Sequence, residues 1–140
     1  MRELFGFYEA IADEQGVSLI LTGEGKISGD RLMLRRAISN LLSNAIRHTP
    51  HSGLIIVFID HSNPEETNLA IENSGETIAM EHLSRLFDRF YRVDPSRQKA
   101  SDGAGLGLAI TKSIIEAHQG NIQVFSSNGT TRFKITFPNC

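Results

Sequence analysis

The chain has 140 residues, enough for one domain with one proper core. Hydrophobic residues make up 40% and charged residues 21%, ordinary for a globular chain, and the net charge of −2 excludes the basic excess of a general nucleic-acid binder. The single cysteine, Cys140, excludes an internal disulfide framework, and no apolar run approaches the ~18–20 residues of a membrane span, so no membrane contact is expected of this segment.

Residues 3–15 carry apolar side chains at Leu4, Phe5, Tyr8, Ile11 and Ala12, a helical spacing, with Gly16 as the stop. Residues 17–21 read as a short strand, followed by a turn around Gly23 and Gly25. Asp30 is an N-cap for a long helix over residues 31–48. Its apolar stripe is Leu34, Ile38, Leu41, Leu42, Ala45 and Ile46. Asn40, Asn44, Arg47 and His48 share a different edge, because positions i, i+4, i+7 and i+8 stack on one face. Residues 54–60 and 68–72 read as paired strands joined by a polar connection. Residues 73–77 read as a turn, with Gly75 available for positive φ. A short helix follows over about residues 80–86. Residues 94–104 are almost without apolar side chains and read as a mobile loop. Residues 106–118 form the last helix, with Gly120 just past its end. Strands over residues 121–125 and 131–137 close the chain as a hairpin about Asn128-Gly129. The order implies an α+β fold, a mixed sheet with helices on one face.

Two asparagines four residues apart are unfavourable in a helix interior, so Asn40 and Asn44 need a reason. One reason is structural: an amide that bonds the backbone of a neighbouring loop. The other is functional: the amide oxygen of Asn44 is a hard ligand of the kind Mg²⁺ accepts, with Arg47 beside phosphates and His48 near a nucleoside. The glycine-rich run Gly103-Ala104-Gly105-Leu106-Gly107-Leu108 opens a helix and is either a flexible hinge only or a place where bare N–H groups suit phosphate. Its spacing and late position do not match a dinucleotide-binding loop. Asn73-Ser74-Gly75-Glu76-Thr77-Ile78 ends a strand and turns sharply: by itself it is either a plain turn or a place where a polar side chain could meet an adenine edge while Ile78 packs the ring. Leu86-Phe87-Asp88-Arg89-Phe90-Tyr91-Arg92 is aromatic-rich, either core or the anchor of a lid over a pocket.

These four stretches, in this order, resemble the N, G1, F and G2 boxes of the catalytic ATP-binding domain of bacterial sensor histidine kinases. That family shares the Bergerat (GHKL) fold with gyrase B, Hsp90 and MutL. The resemblance covers essentially the whole chain. It implies a two-layer α/β sandwich, one ATP-binding domain over residues 1–140, and an ATP lid over about residues 92–104. It implies Mg²⁺ and ATP as cofactor and substrate, with Asn44 as the metal ligand and Asn40, Asn44 and Arg47 as the catalytic set. Nucleotide contacts are expected from Asn40, Asn44, Arg47, His48, Asn73, Gly75, Ile78, Phe87 and Tyr91, from Arg97 and Lys99 in the lid, and from Gly103, Gly105, Leu106, Gly107 and Leu108.

One departure matters. The family's G1 box usually begins with Asp, whereas this chain has Asn73, and Thr77 stands where the box has a later glycine. A neutral Asn oxygen accepts the adenine amino hydrogen more weakly than a carboxylate. The Asn at this point resembles the heavy-metal-responsive subgroup, the copper and silver sensors. The resemblance further implies a cytoplasmic domain of a bacterial inner-membrane kinase. Its partners would be the dimerisation and phosphoacceptor domain of the same kinase and a cognate response regulator, with no nucleic acid. None of the five histidines is followed by the acidic residue and proline of a phosphoacceptor, so this segment is expected not to label itself. The alternatives are an ATPase of the gyrase or Hsp90 kind and a nucleotide-dependent docking module. Asn40 stands where such ATPases place a water-activating Glu, which argues for transfer rather than hydrolysis.

Overall fold

Alternation in the strands sorts side chains onto two faces, and the register between strands decides which residues share a face. A computed structural model describes residues 2–23, 29–61, 65–75, 83, 85–87 and 107–138. The described elements are α1 (Arg2–Glu14), β1 (Ser18–Gly23), α2 (Arg31–His48), β2 (Leu54–Asp60), β3 (Glu66–Ser74), α3 (Gly107–Ala117), β4 (Asn121–Ser127) and β5 (Thr130–Pro138). Five strands form one sheet in the order β1-β2-β3-β5-β4. The β1–β2 pair is parallel and the others are antiparallel, so the sheet is mixed, as expected.

Register places Val57 opposite Ile71 and Ile71 opposite Phe133. Leu69 faces Ile135, and Thr67 faces Phe137. Together with Leu19 and Ile55 these residues make the buried face. The helices cover it with Leu34, Ala37, Ile38, Leu41, Leu42, Ala45 and Ile46 of α2 and Ile114 and Ile115 of α3. The opposite face carries Ile20, Ile56, Phe58, Glu72, Arg132 and Lys134, with Glu72 and Arg132 3.3 Å apart. The expected two-layer α+β sandwich is therefore what the chain builds.

Local chemistry sets the element ends. The Asp30 carboxylate accepts from Met33 N–H at 3.0 Å, the N-cap bond expected for α2. Asn128 and Gly129 have φ of 50° and 76°, and Ser127 pairs with Thr130. This is a two-residue hairpin loop whose positive φ values match the twist of its strands. The Tyr8 hydroxyl of α1 contacts the Ser39 hydroxyl and accepts from Ser43 Oγ at 3.3 Å, tying α1 to the flank of α2.

Two expectations need correction. β3 is nine residues long, not five, and it runs through Asn73 and Ser74, so the turn placed at residues 73–77 begins no earlier than Gly75. Pairing with β5 extends the strand at both ends, an interaction that local propensity does not register. Gly75 is also not among the glycines with positive φ. Its glycine is explained by packing: a Cβ there would stand 2.8 Å from the His48 carbonyl oxygen. The short helix expected over 80–86 and the loop over 94–104 lie largely or wholly outside the described residues.

Candidate functional site

The buried face of the sheet is apolar along most of its length but ends in a polar row. Ile55 pairs with Asn73, Asn73 with Thr131, and Thr131 with Ser126. Asn73 is 4% exposed and Thr131 5%. Ser126 Oγ and Thr131 Oγ1 are 3.0 Å apart. Asn73 donates through Nδ2 to the Ser74 carbonyl at 3.3 Å. Among the described residues, its Oδ1 accepts no hydrogen bond. A buried amide oxygen without a donor is costly in a finished core and natural in a pocket where a ligand supplies the donor. Thr131 and Ser126 were not singled out in the sequence. The signal was present: Thr131 has the same parity in β5 as Phe133, Ile135 and Phe137, which puts it on the buried face.

The last two turns of α2 stand over this end of the sheet, because Gly75 meets the carbonyl of His48. They carry Asn44, half-buried, and Arg47 and His48, both exposed. The Arg47 guanidinium donates to Asn44 Oδ1 at 3.4 Å. Arg47 and His48 each make a further interaction. The chain leaves α2 through Thr49, whose Oγ1 donates to the Ala45 carbonyl at 2.6 Å. The basic Arg47 and His48 also sit where the helix dipole is negative.

Asn40 goes elsewhere. Its Nδ2 donates to the Gly107 carbonyl at 3.3 Å, so the structural explanation weighed for the asparagine pair applies to this member. Thr111, fully buried, donates through Oγ1 to the same carbonyl at 2.9 Å. Gly107 and Leu108 open α3, and among the described residues nothing stands within 4 Å of where a Gly107 Cβ would be. Phe87 packs edge-on against Phe133, centroids 6.1 Å apart, with Lys112 Nζ 5.8 Å from its ring centre. It is attached to the core edge rather than standing apart from it. Ile78, Tyr91, Arg97, Lys99, Gly103, Gly105 and Leu106 lie outside the described residues.

The structure thus gathers Asn44, Arg47, His48, Gly75 and Asn73 at one end of the sheet, with Asn40 linking α2 to the start of α3. Comparisons with known proteins concern the chain as a whole. The chain is 52% identical to the sensor histidine kinase CusS of Escherichia coli K12 over 97% of its own length and 28% of that protein. It is 51% identical to the probable sensor kinase SilS of Salmonella typhimurium, over 94% of the chain and 27% of that protein. It therefore spans less than a third of these relatives. Among solved structures, the mycobacterial sensor histidine kinase MprB matches with a TM-score of 0.82 at 26% identity, covering 99% of this chain and 95% of the other. The catalytic domain of the histidine kinase ThkA matches with a TM-score of 0.83 at 23% identity, over 98% of this chain and 88% of the other, a likeness of fold. Residues 29–139 match the family described as histidine kinase-, DNA gyrase B- and HSP90-like ATPases, and the chain belongs to that family.

Proposed function

We propose that this chain is the ATP-binding catalytic domain of a sensor histidine kinase, which holds Mg-ATP for transfer of its γ-phosphoryl to a histidine on a separate dimerisation domain. The observation that carries the reading is the Asn73 Oδ1, which accepts from none of the described residues and is buried at the end of the sheet over which α2 brings Asn44, Arg47 and His48. An acceptor at that depth suits the exocyclic amino group of adenine. The neighbouring cation and amide suit a polyphosphate and its metal.

Asn44 fits a Mg²⁺ ligand in chemistry: a neutral oxygen, half-buried, already used to a cation through Arg47. Asn44 would hold Mg²⁺, which would supply positive charge against the phosphates. Arg47 would then turn its donors to the phosphates. Gly107 and Leu108 would present the α3 N-terminus to the same groups, with Phe87 at the pocket's border. Asn40 is no general base, and its amide is engaged with backbone, which supports transfer over hydrolysis. The histidine-bearing domain and a response regulator would be the partners. The identity to CusS and SilS, together with the Asn at position 73, supports a metal-responsive parent protein with this segment in the cytoplasm. Among the described residues no helix is long and apolar enough to cross a membrane.

Titration calorimetry with ADP and a non-hydrolysable ATP analogue, with and without Mg²⁺, tests the proposal. Mg-dependent binding at micromolar to millimolar strength is expected, with no phosphohistidine formed by the chain alone. Absence of binding under every condition would overturn the reading.

A further inference from the structure

We propose that Asn40 is a positioning residue that aims the Leu108 N–H at the nucleotide phosphates by pinning the Gly107 carbonyl, and that it does not ligate the metal. The inference rests on the functional reading above and assigns this side chain a different task within it. The bond joins residues 67 apart in sequence: Nδ2 of Asn40, in the middle of α2, donates to the Gly107 carbonyl oxygen at 3.3 Å. The Gly107 carbonyl and the Leu108 N–H belong to one planar, trans peptide unit. In such a unit the C=O and N–H vectors are antiparallel. Holding the oxygen from one side therefore fixes the direction of the N–H on the other.

Among the described residues, that N–H is among the first of α3, which have no partner within the helix and carry the positive end of its dipole. A helix start is the part of a helix most prone to fray, and glycine at its first position gives the backbone extra freedom. Here two side chains restrain it. Thr111 Oγ1, 0% exposed, donates to the same carbonyl at 2.9 Å from inside α3, while Asn40 reaches it from α2. The far end of α3 is tied to the same helix. The Asp30 N–H donates to His118 Nε2 at 3.0 Å, and His118 Nδ1 pairs with the Ile114 carbonyl at 2.8 Å. α3 is thus tied at both of its ends, to the middle of α2 through Asn40 and to the N-cap of α2 through His118. Only the Asn40 clamp lies at the end expected to meet phosphate.

The test compares the unmutated 140-residue chain with Asn40→Leu, which keeps the branched shape and the number of side-chain heavy atoms and favours helix but cannot donate. Binding of ADP and of adenosine is measured with and without Mg²⁺. Asn40→Leu should weaken ADP about fivefold, the equivalent of one hydrogen bond, and leave adenosine unchanged. The loss should be the same without metal. His118→Ala, which breaks the far clamp, should lower the melting temperature while the ratio of ADP to adenosine affinity stays put. Three results would overturn the proposal: an unchanged ADP affinity in Asn40→Leu, an equal loss of ADP and adenosine, or a loss seen only with Mg²⁺. If the unmutated chain bound neither ligand, the functional reading would fall first, and this inference with it.

Discussion

The Arg47 guanidinium donates to Asn44 Oδ1 at 3.4 Å, so the proposed phosphate contact and the proposed metal ligand touch each other one turn apart on α2. A cation already satisfies the oxygen that a metal would take. Loading the site would exchange one positive partner for another rather than strip a buried group of its only contact. An amide that prefers cations is easier to convert to a metal ligand than one committed to a donor N–H of the core.

Asn44→Ala should abolish the Mg-dependent part of ADP binding and leave the fold intact. The side chain is half-buried, and alanine is the better helix former, so stability should change by less than about 0.5 kcal/mol. Calorimetry with and without Mg²⁺ reads the first effect and thermal unfolding the second. Equal ADP affinity in the two proteins would remove Asn44 from the site.

Asn73→Asp should have two effects of opposite sign. A carboxylate is the stronger acceptor for an amino group, so ADP should bind more tightly. The unliganded domain should lose about 1–3 kcal/mol, because the donor to the Ser74 carbonyl disappears and a charge is buried at a 4% exposed position. Titration with ADP and melting without ligand separate the two. Weaker ADP binding would count against Asn73 as the adenine acceptor.

Gly75→Ala should destabilise by about 1–3 kcal/mol, since its Cβ would press to 2.8 Å from the His48 carbonyl oxygen, a backbone atom that cannot turn aside. The strain falls where α2 meets β3, so ADP affinity should drop as well. The urea midpoint should fall with an unchanged slope. A neutral substitution would mean that α2 can shift at no cost.

Asp30→Ala should cost about 1 kcal/mol through loss of the N-cap bond to Met33, with no change in ADP affinity. Thermal unfolding and one titration check it. Asp30 stands at the end of α2 away from Asn44, so a change in affinity would show that the two ends of the helix are coupled.

Much of this protein was legible because short-range physics dictates it. The period of α2 and its Asp30 cap, the Asn128-Gly129 loop, and the placing of Asn44 and Arg47 on neighbouring turns all follow from spacing within a few residues. The four boxes together point to the ATPase family from the sequence alone. Other features depend on partners far along the chain. β3 reaches Ser74 only because β5 pairs with it, and that register puts Asn73 on the buried face beside Thr131. A one-residue shift would have turned Asn73 to solvent. Gly75 looked like a residue chosen for its φ and proved to be one chosen for space beneath His48. Asn40 and Asn44 are equivalent in sequence, four apart on one helix. Only the arrival of α3 at Gly107 separates them, giving one a backbone partner and leaving the other to Arg47. Local spacing determines which side chains share a helix edge. Which of them meets the backbone and which meets a ligand is decided by what the rest of the chain packs against that edge.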